Sequence, residues 1–296
     1  MKITDTLRFL IVPKVAHPWF DEVHRGAQAQ AAILSTQLGV DIVVDYTPPR
    51  HADLAEQNAL IEKAVEHRPT GIAIDPVDAV DNVSAIRHVR ERGIPLVLFD
   101  SLSSDPRITS IVNNFSQQGA IAAERLAALI GHAGKVAVMR GVPTAPNHRQ
   151  RYDAQTAVLG RYPGITVVDG GVDNDDIATA LEQASDVLAR HPDLRGYLCC
   201  DASSPIGIAA AIRNSGKAGK VKVVGIDAIR PILEAIKEGV IDSSSATIPR
   251  MQGSMSILML WQASLGVRIP QVIDTGIEVV TNENVDEYLA MNPARS

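Results

Sequence analysis

Gly71-Ile72-Ala73-Ile74-Asp75 sets a run of small and β-branched residues before a single acid. Gly196-Tyr197-Leu198-Cys199-Cys200-Asp201 does the same, with its acid 126 positions further on (201 − 75). Runs this short, without polar alternation, read as strands covered on both faces, as in parallel sheets flanked by helices. Leu96-Val97-Leu98-Phe99-Asp100 and Val223-Val224-Gly225-Ile226-Asp227 repeat the pattern, their acids 127 apart (227 − 100). Residues 9–13 and 135–139 begin units separated by the same interval. The chain therefore reads as two similar halves, each with two aspartates at the carboxyl ends of strands.

Working outward, further Val- and Ile-rich runs fall at 8–12, 41–46, 110–112, 165–168, 241–246 and 273–280, with a helix-length stretch between most of them. Leu38-Gly39, Arg92-Gly93 and Ser215-Gly216 supply helix stops. That alternation is the signature of βαβ units, and it predicts an α/β fold of two doubly wound parallel-sheet lobes. With 296 residues the chain is long enough for two compact units.

Composition narrows the function. The formal charge of -6, with scattered basic residues, lacks the footprint of a nucleic-acid or anionic-membrane binder. No apolar stretch approaches the roughly 20 residues of a membrane helix. Residues 1–6 hold one lysine and no apolar core, so no signal peptide is expected within the chain as written. The only two cysteines, Cys199 and Cys200, sit together in a strand-like run and read as buried structural thiols.

In open α/β sheets, ligands bind beyond the carboxyl ends of the strands. Asp75, Asp100, Asp201 and Asp227 all fall at that edge. Each alone fits a turn former or helix cap, whereas four at matched positions point to a shared site. Carboxylates are acceptors only, so they suit a ligand dense in hydroxyl or ammonium donors and repel phosphates and carboxylates. After the first strand, His17-Pro18-Trp19-Phe20 places an imidazole and two rings at the start of a helix, although aromatics make up only 4% of the chain. Aromatic faces complement the C–H faces of a sugar ring. The equivalent loop of the second half ends Arg149-Gln150-Arg151, whose guanidinium groups can donate to hydroxyl or ring oxygens, or lie on a solvated helix face.

Taken in order, His17-Pro18-Trp19-Phe20, Ile74-Asp75-Pro76, Phe99-Asp100-Ser101, Arg149-Gln150-Arg151, His191-Pro192-Asp193 and Val224-Gly225-Ile226-Asp227 resemble the periplasmic sugar-binding proteins of the ribose-binding type, the receptors of ABC importers. The resemblance spans nearly the whole chain. It implies a type I periplasmic binding protein fold with three hinge crossings, near 112–114, 246–248 and 275–276. Lobe one would be 1–112 plus 248–275, and lobe two 113–247 plus 276–296. It further implies a monomeric extracytoplasmic receptor that closes its lobes on a small neutral sugar or polyol and delivers it to a membrane permease, without cofactor, metal or nucleic acid. By the resemblance, Trp19 and Phe20 stack on the ligand, while His17, Asp75, Asp100, Arg149, Asp201, Asp227 and Thr247 hydrogen-bond it. Asp75 and Asp201 stand where the family usually has amides, which argues against a ribose site. Val12-Pro13-Lys14 is similar to the autoinducer-2-binding branch of the family, although Lys14 fits a solvated loop residue equally well.

Rival readings find less support. Gly-x-Gly-x-x-Gly after the first strand, a P-loop, Gly-x-Ser-x-Gly and His-Glu-x-x-His are all absent from the sequence, which argues against an enzyme. The four carboxylates lack the spacing of a calcium loop. The effector-binding core of a sugar-responsive regulator shares the architecture, but the chain opens on its first strand without a helix-turn-helix. A cationic amine or an autoinducer-2-like signal is the alternative ligand, against which a guanidinium in the same pocket argues.

Overall fold

The computed structural model describes residues 6–78 and 82–291. In chain order the elements are β1 (Leu7–Val12), α1 (Pro18–Leu38), β2 (Ile42–Tyr46), α2 (Leu54–Glu66), β3 (Gly71–Ile74), α3 (Val83–Glu91), β4 (Leu96–Phe99), β5 (Thr109–Val112), α4 (Phe115–Leu129), β6 (Gly134–Arg140) and α5 (Pro146–Leu159). There follow β7 (Ile165–Val172), α6 (Ile177–Arg190), β8 (Leu194–Leu198), α7 (Ser204–Asn214), β9 (Lys222–Ile226), α8 (Arg230–Lys237), β10 (Ser243–Ala246), α9 (Pro249–Ser264), β11 (Val272–Asp274), β12 (Glu278–Thr281) and α10 (Val285–Met291). They form two compact units, 1–113 with 248–275 and 114–247 with 276–296, so the chain passes between units three times.

Unit 1 is a six-stranded sheet in the order β11-β5-β4-β3-β1-β2, parallel throughout. Its central strands β3 and β4 are wholly buried while edge strand β2 is only half-buried, which explains why the former read as unbroken apolar runs. Leu10, Val12, Ile72, Ile74 and Leu98 pack on one face with Ile61 and Val65 of α2 and Val89 of α3. Helix ends follow local chemistry. Asp53 and Asn114 accept N–H bonds from Glu56 and Gln117 as N-caps, and Gly39, at φ 66°, closes α1 in the left-handed conformation that glycine adopts without strain.

Unit 2 repeats the design in the order β12-β10-β9-β8-β6-β7, with one departure: β12 runs antiparallel to β10. The expected single strand over 273–280 is two strands, β11 and β12, one on each sheet, broken at Gly276 with φ 85°. A parallel neighbour needs a crossover, which α9 supplies before β11. In contrast, β12 enters unit 2 without a helix of its own. The expected strand over 196–200 stops at Leu198, so Cys199 and Cys200 lie just beyond β8. Both are free and fully buried, and burial pushes their thiols well above the usual range.

Helices α1 and α9 approach closely enough to require glycine on both sides. A Cβ on Gly253 of α9 would stand 1.8 Å from the carbonyl oxygen of Val23 in α1, and one on Gly26 of α1 would stand 2.0 Å from that of Arg250. Backbone cannot yield as a side chain can, so Gly253→Ala is expected to cost at the top of the overpacking range, about 3 kcal/mol. Thermal melting should show it as a fall of roughly 6–12 °C. An unchanged midpoint would contradict the packing.

Candidate functional site

In unit 1, the loops after β1, β3 and β4 bring three charged groups together. The Lys14 ammonium is 2% exposed and lies 3.7 Å from Asp75 Oδ2 and 3.7 Å from Asp100 Oδ2. A lysine can be buried only with such partners. Phe20 presents its ring 5.5 Å from the same nitrogen, a cation–π distance. Asp75 also accepts from Ser101 Oγ at 2.8 Å.

Two fully buried amides hold these loops. Gln57 Nε2 donates to the carbonyls of Pro13 and Asp75 at 2.9 and 2.7 Å, and its Oε1 accepts from Val77 N–H. Gln252 Oε1 accepts from the Asp100 N–H, and its Nε2 donates to Asn113 Oδ1. Asp100 itself has φ 51°, a left-handed conformation that aspartate tolerates better than most side chains.

The aromatic motif serves this scaffold. His17 is the N-cap of α1, its Nδ1 accepting from the Trp19 N–H at 3.1 Å. Trp19 and Phe20 are buried and meet edge-on at 5.0 Å, and Phe20 meets Phe99 at 6.2 Å. The two rings expected to stack on a ligand thus pack against the core and, through Phe20, against Lys14.

In unit 2 the corresponding edge is denser. Asp227, after β9, has φ 67° and repeats the Asp100 geometry: its N–H donates to Ser245 O at 3.0 Å, as that of Asp100 donates to Ile111 O at 3.0 Å. Asp227 Oδ1 accepts from both the N–H and the Oγ1 of Thr247. Asp201 Oδ1 accepts from the N–H groups of Ser203 and Ser204 at 2.9 and 2.8 Å, at the start of α7. Beside it, Gly141 leaves room for the Asp201 carboxylate and the His148 ring, since a Cβ there would lie 2.3 and 2.4 Å from them.

The arginines exchange places with respect to expectation. Arg149 has a side chain 76% exposed, 3.7 Å from Asp153 one turn along α5. Arg151 is the buried one. Its Nε donates to Gln118 Oε1 at 2.7 Å, its Nη1 donates to Cys200 O at 3.0 Å, and it stacks 4.9 Å from the Phe115 ring. Gln118 Nε2 in turn donates to Ser245 O, so one guanidinium links the ends of β8 and β10. Helical phase decides this: Arg149 and Arg151 are two residues apart and so cannot share a face.

Lys14 and Arg151 are the groups that sequence reasoning left open or passed over. A signal for Lys14 lay in the repeat, because Arg140 stands 126 positions beyond it (140 − 14), the interval that pairs Asp75 with Asp201. Both halves carry a basic residue at or just past the end of their first strand. Among the described residues no group of acidic, histidine and cysteine side chains could hold a metal ion, and no helix is long and apolar enough to cross a membrane.

Comparison with known proteins bears on this geometry. Residues 9–266 match the family model described as periplasmic binding protein domain. The D-allose-binding periplasmic protein of Escherichia coli K12 is 24% identical over 263 residues, 86% of this chain and 83% of that one. The D-ribose/D-allose-binding protein of Pseudomonas aeruginosa is 27% identical over 246 residues, 77% and 75% of the two chains. An ABC transporter solute-binding protein from Agrobacterium vitis, bound with α-D-tagatopyranose, superposes with a TM-score of 0.89 at 26% identity, covering 98% of this chain and all of the other. One from Burkholderia graminis, in complex with D-arabinose, gives 0.89 at 27% identity over 96% and 98%.

The chain belongs to the periplasmic binding protein domain family. It has the type I fold and is an extracytoplasmic solute-binding protein of the ribose-binding type, a sugar receptor of an ABC importer rather than an enzyme.

Proposed function

We propose that the cargo is a neutral monosaccharide or polyol, held in unit 1 by Lys14, Asp75 and Asp100 and in unit 2 by Arg151, Asp201, Asp227 and Thr247. The observation that carries this reading is the Lys14 ammonium between two carboxylates. That trio offers donor and acceptor side by side, which matches hydroxyl groups that do both. It also disfavours charged cargo: the net negative trio repels anions, and an ammonium already occupies the place a cationic amine would take. Charge-assisted hydrogen bonds contribute roughly 1.5–3 kcal/mol each, so a few suffice for micromolar binding, about −8 kcal/mol, after the ligand is immobilised. The relatives' sugars, D-allose, D-arabinose and tagatose, fall within this class. We further propose that the receptor works as a monomer and hands its cargo to a membrane permease, with no nucleic-acid partner.

The test is a thermal-shift panel of D-allose, D-ribose, D-arabinose, D-tagatose, D-fucose, xylitol, myo-inositol, a sugar acid and a diamine. A ligand of the folded form at about 100 times its Kd stabilises by roughly 2.7 kcal/mol, a rise of several degrees. A shift with one neutral sugar or polyol is expected. A shift confined to the acid or the diamine would sink the reading.

A further inference from the structure

Asp173, the residue after β7, and Asp201, beyond β8, are both buried, at 0% and 2% exposure. Ser204 Oγ stands 2.5 Å from Asp173 Oδ2 and 3.0 Å from each Asp201 oxygen. A hydroxyl has one hydrogen and cannot satisfy two ionised acids. Among the described residues no lysine, arginine or histidine nitrogen comes within ion-pair distance of either carboxyl. Two adjacent buried charges of like sign without a cation do not coexist, so one must hold a proton. The two acids are not equivalent. Asp201 accepts two backbone N–H groups at the start of α7, an environment for the ionised form, whereas Asp173 Oδ1 accepts only the Asp175 N–H at 3.0 Å.

We propose that Asp173 is a neutral carboxylic acid at physiological pH and a positioning residue for Asp201: its Oδ2–H donates to Ser204 Oγ, and the Ser204 hydrogen is thereby committed to Asp201. Every hydrogen in the triangle then has one acceptor, and Asp201 stays an ionised acceptor of fixed orientation. The inference rests on the reading of Asp201 as a cargo-binding group only for its functional consequence.

Burial, reinforced by the Asp201 charge, pushes the Asp173 carboxyl up to about 10, and burial also raises Asp201. The other titratable groups near the pair are Asp175 on the same loop, Asp169 of β7, Tyr197, Cys199 and Cys200 from β8 and its end, and Arg140, His148 and Arg151 from β6 and α5. Tyr197, Cys199 and Cys200 are raised by burial and stay neutral with it.

A folded-state value above the ordinary carboxylate value of 3.8 means that the native chain holds the proton longer than the unfolded one. The stability due to Asp173 is complete below the ordinary range and drains as pH rises toward about 10. Each pH unit in that window shifts the folding equilibrium about tenfold. Asp173→Asn keeps the shape and neutrality of the acid and removes the drain.

The experiment follows aspartate carboxyl carbons by 13C NMR and thermal melting from about pH 5 to about pH 9 in the parent, Asp173→Asn and Asp173→Ala. The parent should retain one protonated aspartate resonance across the range, absent from Asp173→Asn. That variant should fold, and its melting temperature relative to the parent should climb with pH, while Asp173→Ala melts lower throughout. The proposal is overturned if every aspartate in the parent is ionised at neutral pH, or if the Asn variant differs from the parent by a constant amount. No sugar is involved, so the outcome is independent of the cargo assignment.

Discussion

Replacing Lys14 with methionine is expected to weaken sugar binding by far more than tenfold and to cost about 3–5 kcal/mol of stability in unit 1, the penalty for stripping buried carboxylates of their counter-ion. The methionine fills a similar volume, so the loss is electrostatic. Asp75 and Asp100 would face each other with the ammonium gone from between them. Melting should fall by about 10 °C at neutral pH and the deficit should shrink as acid supplies protons to replace the lost charge. Combining Lys14→Met with Asp75→Asn and Asp100→Asn removes all three charges. It is expected to restore much of the melting temperature and none of the binding, which separates folding from recognition. A single variant that melts and binds like the parent would show the trio to be without consequence.

The second large effect is expected from the arginine pair. Arg151→Leu leaves Gln118 Oε1 and the Cys200 carbonyl without their donor, at about 1–3 kcal/mol for each stranded group. It also removes the stack on Phe115. Calorimetry should show cargo affinity lowered at least about tenfold, 1.4 kcal/mol. Arg149→Ala, two positions away, removes only an exposed contact with Asp153 and should change stability by less than about 0.5 kcal/mol. Equal losses in both variants would mean that Arg149 meets the cargo despite its exposure.

The contrast between those two arginines shows what a sequence can convey here. The strands were legible because burial on both faces demands unbroken apolar runs, and Asp75, Asp100, Asp201 and Asp227 were legible because they follow those runs directly. Arg149 and Arg151 differ only in helical phase, and α5 carries no apolar periodicity strong enough to fix it. Trp19 and Phe20 were ambiguous for a related reason: an aromatic at a helix start serves the core or a ligand with equal ease, and the packing of Phe20 on Phe99 and Lys14 appears only in the fold. Asp173 left no trace, since nothing in Val172-Asp173-Asn174-Asp175-Asp176 distinguishes the acid that will be buried from those that will not. The antiparallel β12 was hidden because strand direction is a property of topology.

The route of the chain also bears on how the molecule assembles. Unit 1 waits for α9 and β11 from residues 248–275, and closing a loop of that length opposes folding by an entropy that grows with its size. Unit 2 has most of its substance in the continuous stretch 114–247, and its two ends meet, because Gln118 near the start of that stretch bonds Ser245 near its close. Once unit 2 has formed, the long insertion is already looped, and α9 returns to α1 from a tethered position instead of a free one. Refolding should therefore proceed with unit 2 leading, and the face of α1 around Gly26, uncovered until α9 arrives, is the surface on which a stalled intermediate would aggregate.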